Sequence, residues 1–210
     1  MTHANPSIRF PHAALLLGFS LSCIGCGTFS ILRPADTLSK NNSEFSFGMA
    51  ANSVGGVQPM LQWNYGLSNQ IELGAQYEVY SYLLGARYGL LSSEKHSFAA
   101  ACGLSVGQIN EVTQFGFSAN SSGTWINTGA IIPELTIGRR WRSLELYLGY
   151  RAFFGFAYNW SYTIGTIKLG TRFPIEPHIF FTLEVGETHT VTSGLFFQVI
   201  EGTAGFTYLF

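Results

Sequence analysis

The sequence predicts an all-β protein, a transmembrane antiparallel up-and-down β-barrel of about ten strands, and three observations lead to that prediction. Of its 210 residues, 47% are hydrophobic and only 11% are charged, whereas soluble domains carry about 25% charged residues. After the N-terminal region no run of about 20 apolar residues occurs, so no ordinary transmembrane helix is expected. Apolar residues instead recur with a period of two, which is typical of strands. A closed barrel is the other architecture that satisfies every backbone polar group in lipid.

The period of two can be followed through ten segments of the chain. In "IELGAQYEV", every second residue from Ile71 to Val79 is apolar, and the residues between them are polar or glycine. The segments have about the length of strands that cross a bilayer at a tilt, roughly 9–11 residues. Because strand boundaries are the least certain part of such a prediction, eight and twelve strands are the alternatives. The ten segments are 44–52, 57–67, 71–79, 82–91, 97–107, 129–140, 144–154, 160–173, 178–188 and 195–210.

The N-terminal residues predict export. The apolar run 13–25 follows Arg9; it is too short to span a membrane and has the length of a signal-peptide core. The run leads into "SCIGCG", where a small residue directly before Cys26 resembles the lipobox of bacterial lipoproteins. The resemblance implies a lipoprotein-type signal peptide at 1–25 and lipidation at Cys26. Because Cys23 stands where the lipobox prefers Leu, a plain secretory signal and lipidation at Cys23 are the alternatives.

Processing at Cys26 would divide the mature chain into two parts. Residues 26–43 are polar and contain Pro, Asn and Ser, so we expect a tether between lipid and barrel; residues 44–210 form the barrel. Cys102 would then have no disulfide partner, and we interpret it as a small packing residue in a strand.

The charges predict which face of each strand is which. Alternation alone does not distinguish a membrane barrel from a soluble lipocalin-like barrel, but nearly all charges within the segments share one parity. A charge on the lipid face at mid-bilayer costs about 2–4 kcal/mol for Arg or Lys, so the charged parity is predicted to face the lumen. On the opposite parity, Glu44 and Glu187 lie at strand ends and Arg139 beside a turn. The predicted lumen charges are Glu72, Glu78, Arg87, Glu134, Arg140, Glu145, Arg151, Lys168, Arg172, Glu184 and Glu201.

These lumen charges favour a closed barrel with a structural or interaction role. Six acids face five bases, and buried charges must be paired. A barrel of about eight strands is just filled by its side chains, and ten strands add little width. The alternative is a water-filled lumen lined by these charges, which would be a narrow pore for ions or small polar solutes.

Aromatic residues fall near the ends of the predicted strands, where outer-membrane barrels carry interfacial belts. Such belts lie in contact with lipid, so membrane lipid is the first expected partner. The expected belt residues at the periplasmic end are Tyr65, Tyr88, Trp141, Phe173 and Phe210, and those at the outer end are Tyr77, Phe154, Phe156, Tyr158, Trp160 and Phe196.

The last segment, "GTAGFTYLF", alternates apolar residues up to a final aromatic. Phe206, Tyr208 and Phe210 resemble the β-signal of bacterial outer-membrane proteins. The resemblance implies recognition by the barrel-assembly machinery and places the protein in the bacterial outer membrane. An even number of strands puts both termini on one side, which would be the periplasmic side.

A rim-located outer-membrane hydrolase is the least favoured function. Its best candidates are Glu187, His189 and Ser193 in "GETHTVTSG", of which the first two share parity. This segment lacks the His-Ser-Asn pattern of barrel lipid A deacylases. The Asp pairs that omptin proteases need are also missing, since Asp36 is the only aspartate. The protein is therefore predicted not to be an enzyme.

Other ligand classes find little support. The histidines are scattered without metal-ligand spacing, no glycine loop suited to phosphate occurs, and no cofactor is expected. The net charge of −1 gives no basic surface for nucleic acid. The segment 108–128 is the one long predicted loop and a candidate site for an extracellular partner. Alternatively Phe115, Phe117 and Trp125 extend the hairpin as a rigid stalk.

Overall fold

The computed structural model describes residues 31–53, 57–78, 81–113, 124–157, 160–192 and 195–210. Within these ranges no helix is long and apolar enough to cross a membrane. The signal peptide predicted at 1–25 and the predicted lipidation site at Cys26 lie outside the described residues. The strands are β1 (Ser43–Asn52), β2 (Val57–Gly66), β3 (Ile71–Glu78), β4 (Ser81–Leu91), β5 (Ala99–Thr113), β6 (Thr124–Arg140), β7 (Glu145–Ala157), β8 (Trp160–Glu176), β9 (Ile179–Thr192) and β10 (Leu195–Leu209).

Each strand pairs antiparallel with its neighbours in the chain, and β1 pairs with β10 to close the barrel. At this seam Phe45 lies opposite Tyr208 and Phe47 opposite Phe206. The N–H of Ser43 donates to the carbonyl of Phe210 at 2.7 Å. The predicted all-β up-and-down barrel is confirmed, with ten strands rather than eight or twelve.

The two ends of the barrel differ. At the terminal end, where Ser43 and Phe210 lie, short turns join β2 to β3, β4 to β5, β6 to β7 and β8 to β9. At the opposite, distal end the β5–β6 hairpin is longest, with Thr113 paired to Thr124. In the described part of the chain, β5 beyond Ile109 and β6 before Gly129 pair only with each other. Much of the predicted loop 108–128 is therefore an extended hairpin; Phe115 and Phe117 lie outside the described residues.

Alternate residues of every described strand face outward and inward. The outward face is almost entirely apolar, whereas the inward face carries buried Glu, Arg, Lys, Gln and Thr side chains. Phe206, Tyr208 and Phe210 point outward, and Thr203 and Thr207 point inward. Outward apolar residues around the barrel include Phe47, Leu61, Leu73, Leu84, Leu104, Leu135, Leu148, Ile167, Leu183 and Phe206.

The expected belt residues that the structure describes lie near the two ends of the outward face. At the terminal end these are Tyr65, Tyr88, Trp141, Phe173 and Phe210; at the distal end they include Tyr77, Phe154 and Phe156. Tyr77 packs on Tyr82 with ring centroids 5.3 Å apart. The side chains of Tyr158, Trp160 and Phe196 are outside the described set.

Two charged residues differ from the prediction. Glu44 lies on the inward face and is 2% exposed, and the guanidinium of Arg172 reaches it across the lumen at 2.8 Å. Arg140 keeps the predicted inward parity, but it is exposed because β6 ends there, and it lines a cleft with Glu145 and Arg172 at the terminal end. Cys102 is a free, partly buried cysteine in β5.

Candidate functional site in the lumen

Part of the predicted tether lies inside the barrel. Residues 31–38, which we call the inner segment, precede β1 and enter the lumen from the terminal end. Ile31, Leu32, Arg33 and Ala35 are all buried. Of the predicted tether 26–43, the portion up to Leu38 that the structure describes therefore fills space within the barrel.

Carboxylates on the wall bind the inner segment. Glu184 accepts hydrogen bonds from the backbone N–H groups of Ile31 at 3.1 Å and Leu32 at 2.6 Å. Glu72 accepts one from the N–H of Leu38 at 3.1 Å and forms an ion pair with Arg33 at 3.5 Å. These acceptors satisfy buried backbone donors that no sheet partner serves, which removes a cost of about 1–3 kcal/mol for each group.

Glycines of the wall leave the space that the inner segment occupies. A Cβ at Gly149 would collide with the side chain of Ile31, and one at Gly74 with that of Arg33. At several wall glycines an added Cβ would approach residues 31–39. These wall glycines are Gly48, Gly66, Gly74, Gly89, Gly138, Gly149 and Gly205.

A continuous chain of ion pairs crosses the lumen next to the inner segment. Arg33 contacts Glu72, and Glu72 also contacts Arg87 at 3.4 Å. Arg87 lies 3.3 Å from Glu134, which in turn accepts from Arg151 at 2.6 Å. Every side chain in this chain of ion pairs is buried, so each charge is compensated within a water-poor interior.

Further polar contacts lie around this chain of ion pairs. Lys168 and Glu201 form an ion pair in which both side chains are completely buried. Arg151 also donates to Gln76 at 3.1 Å, and Gln76 donates to Glu78 at 2.7 Å. We call the buried charged residues the charge network; they are Arg33, Glu44, Glu72, Glu78, Arg87, Glu134, Glu145, Arg151, Lys168, Arg172, Glu184 and Glu201.

The inward face also carries buried apolar side chains, which lie on β4, β6, β7 and β8 and pack against one another within the barrel. Phe153 is fully buried and Ile132 is 1% exposed. We call this set the apolar cluster; it consists of Leu83, Ala130, Ile132, Phe153 and Ile164.

Ten of the eleven predicted lumen charges are brought together inside the barrel, and Arg140 is the exception. Sequence reasoning missed Arg33, Glu44 and the apolar cluster. The signals available were the apolar pair Ile31–Leu32 within an otherwise polar stretch and the many glycines on the inward parity. The partners of these features are far away in the chain, Glu184 being 153 residues from Ile31.

Two of the three predicted rim hydrolase candidates lie in the described part of β9. Glu187 and His189 share its outward face, as their parity predicted, and His189 lies beside Gly165. Ser193 lies outside the described residues. Across the part of the chain that the structure describes, no three His, Cys, Asp or Glu side chains could hold a metal ion.

The solved structures that resemble this barrel include bacterial outer-membrane barrels. One is the outer membrane protease OmpT from Escherichia coli, with a TM-score of 0.50 and 11% identity, covering 84% of this chain and 100% of that chain. Another is the N-terminal β-barrel domain of Pseudomonas aeruginosa OprF, with a TM-score of 0.36 and 12% identity, covering 82% and 100%. At such identities the likeness shows the fold alone. No family model matches the sequence, and no curated protein matches it.

Proposed function

We propose that this chain is a bacterial outer-membrane β-barrel with a closed lumen and a structural or interaction role. The support for the proposal is that the inner segment, the charge network and the apolar cluster all place buried side chains inside the barrel. An ion path would have to pass between these side chains. The outward apolar face supports a lipid environment, because a soluble barrel would place these side chains in water.

Conductance across a planar bilayer tests the closed lumen. The full-length protein is folded in detergent, its folding is verified by heat-modifiable migration on gels, and single-channel currents are recorded after its addition to the bilayer. The expected result is that no conductance steps are recorded. Conductance steps whose ion selectivity changes in Arg151→Ala would overturn the closed lumen and favour a narrow pore for ions or small polar solutes.

We also propose that both termini are periplasmic, so that the β5–β6 hairpin projects outward. The support is the unequal length of the connections, since outer-membrane barrels have short periplasmic turns and longer outer loops. Thr113→Cys at the distal end and Lys95→Cys in a terminal-end turn, each with Cys102→Ser, form a matched pair. In intact Gram-negative cells an impermeant maleimide should label only Thr113→Cys; preferential labelling of Lys95→Cys would reverse the orientation.

The interaction role would belong to the β5–β6 hairpin, which extends beyond its neighbouring strands and is the best candidate site for an extracellular partner.

Lipidation at Cys26 and recognition of β10 by the barrel-assembly machinery complete the proposal. Mass spectrometry of the processed protein tests lipidation, because a diacylglyceryl adduct should be present in the wild type and missing from Cys26→Ser. An unmodified wild-type chain would instead support a plain secretory signal.

We expect no catalysis from this barrel. OmpT is a protease, but its likeness to this chain extends to the fold alone. Hydrolysis of peptide or lipid by the purified protein that disappears in His189→Ala would overturn this expectation.

A further inference from the structure

We propose that the terminal half of the lumen is a peptide-binding site and that the inner segment, residues 31–38, is its exchangeable resident ligand. The inference rests on the closed barrel proposed above and adds a recognition role to the part of its lumen that surrounds the inner segment. The ligand class is an extended peptide with two successive backbone N–H groups followed by arginine and proline.

Glu184 recognises the backbone at the start of the ligand. Its two oxygens accept from the N–H groups of Ile31 and Leu32 at 3.1 and 2.6 Å, and the hydroxyl of Tyr147 donates to it at 2.8 Å. Leu32 has a φ of 41°, in the left-handed region that a leucine rarely adopts. Successive N–H groups in such a conformation form a concave anion site. A strained residue persists only where its surroundings determine its conformation, and here the wall carboxylate does so.

Arg33 and Pro34 give the site its sequence preference. The guanidinium of Arg33 pairs with Glu72 at 3.5 Å, and Arg87 donates to the carbonyl of Pro34 at 2.7 Å. Pro34 is partly buried, and because proline has no N–H it leaves no backbone donor unsatisfied there. It also favours an extended conformation in the residue before it. Glu72 then accepts from the N–H of Leu38 at 3.1 Å, so one carboxylate contacts both ends of this stretch.

The site is shaped as a groove and does not incorporate the segment into the sheet. The wall glycines provide the room, and the side chain of Leu32 lies between Gly48 and Gly205. Among the described residues, 31–38 form no backbone ladder with any strand. The segment can therefore leave without breaking the backbone ladders between strands. Its departure breaks side-chain contacts with the turns at the terminal end, where the N–H of Ser93 donates to Asp36 at 2.9 Å and the hydroxyl of Thr37 donates to the carbonyl of Asn69 at 3.2 Å.

Binding of the segment in trans tests the proposal. In the host protein, residues 31–38 are replaced by eight residues of Gly and Ser, so that chain length is preserved. The probe is the acetylated, fluorescent peptide ILRPADTL in detergent. Fluorescence anisotropy should show saturable binding to this host and at least about tenfold weaker binding to the wild-type protein, whose site is occupied. The same peptide with Arg33→Glu should bind the host at least about tenfold more weakly.

Equal binding by host and wild type, or by the two peptides, would overturn the peptide site. Neither result depends on conductance, so failure of this inference is distinguishable from failure of the closed lumen.

A second measurement does not use the Gly/Ser host protein, so it tests the proposal even where that protein fails to fold. In the full chain with Cys102→Ser, Ala35→Cys should react with an impermeant maleimide more slowly than the exposed Lys40→Cys. Adding Glu184→Gln, which weakens the hydrogen bonds from the N–H groups of Ile31 and Leu32, should increase the labelling rate at position 35 about tenfold. Labelling that is unchanged by Glu184→Gln would show the segment to be a fixed part of the fold and would overturn exchange.

Discussion

The charge network and the apolar cluster are two buried regions of opposite chemistry within the same barrel wall. The charge network contains specific ion pairs such as Glu134–Arg151, whereas the apolar cluster contains apolar side chains around Phe153. Ion pairs depend on particular partners, because desolvating a charge is costly unless its counter-charge is present. Apolar packing depends chiefly on volume. Single substitutions should therefore act through loss of a partner in the charge network and through loss of volume in the apolar cluster.

The largest effect is expected where a fully buried ion pair loses one member. Lys168→Met deprives Glu201 of its ammonium partner, and we expect a loss of about 3–5 kcal/mol in the free energy of unfolding. Urea unfolding in detergent micelles, followed by tryptophan fluorescence, measures it. The control is Lys168→Met with Glu201→Gln, which removes both charges and should restore much of the loss. A double variant no more stable than the single one would contradict the claim that the cost comes from leaving the Glu201 charge without its partner.

In the apolar cluster, truncation should cost stability in proportion to the volume removed. Ile132→Ala is expected to lower the free energy of unfolding by roughly 2–5 kcal/mol, because Ile132 is 1% exposed. The matched control, Ile132→Val, should cost roughly 0.5–1.5 kcal/mol. The same urea titration compares them. Equal costs for the two variants would show that the apolar cluster does not behave as a packed core.

The outward face extends the comparison from the lumen to the surroundings of the barrel. Ile167 lies near the middle of β8 and faces outward, and Ile175 lies near its terminal end. In lipid vesicles Ile167→Arg should cost roughly 2–4 kcal/mol and Ile175→Arg only about 0–1, because the penalty falls toward the interface. Equal costs would be inconsistent with a membrane-spanning belt centred on the strand.

The barrel is predictable from the sequence because strand alternation is a local signal. Parity alone assigns Glu134 and Arg151 to one face, and in the barrel their side chains are paired at 2.6 Å. The inner segment is not predictable in this way, since Pro34 and Asp36 resemble an ordinary loop and the carboxylate that binds Ile31 lies on β9. Phe153 lies on the charged parity of β7, so an alternation rule identifies its face but does not reveal the cluster that it joins.

The smallest effect is expected from a neutral contact between β1 and β10, at the seam of the barrel. The hydroxyl groups of Ser46 and Thr207 are 2.8 Å apart, and both residues are at most 1% exposed. Thr207→Val keeps the side-chain shape and leaves the Ser46 hydroxyl without this partner, so the free energy of unfolding should fall by about 1 kcal/mol. Adding Ser46→Ala removes the remaining hydroxyl and should recover part of that loss. A cost as large as that of Lys168→Met would mean that neutral and charged contacts in the lumen depend equally on their partners. That result would contradict the distinction between ion pairs and other buried contacts.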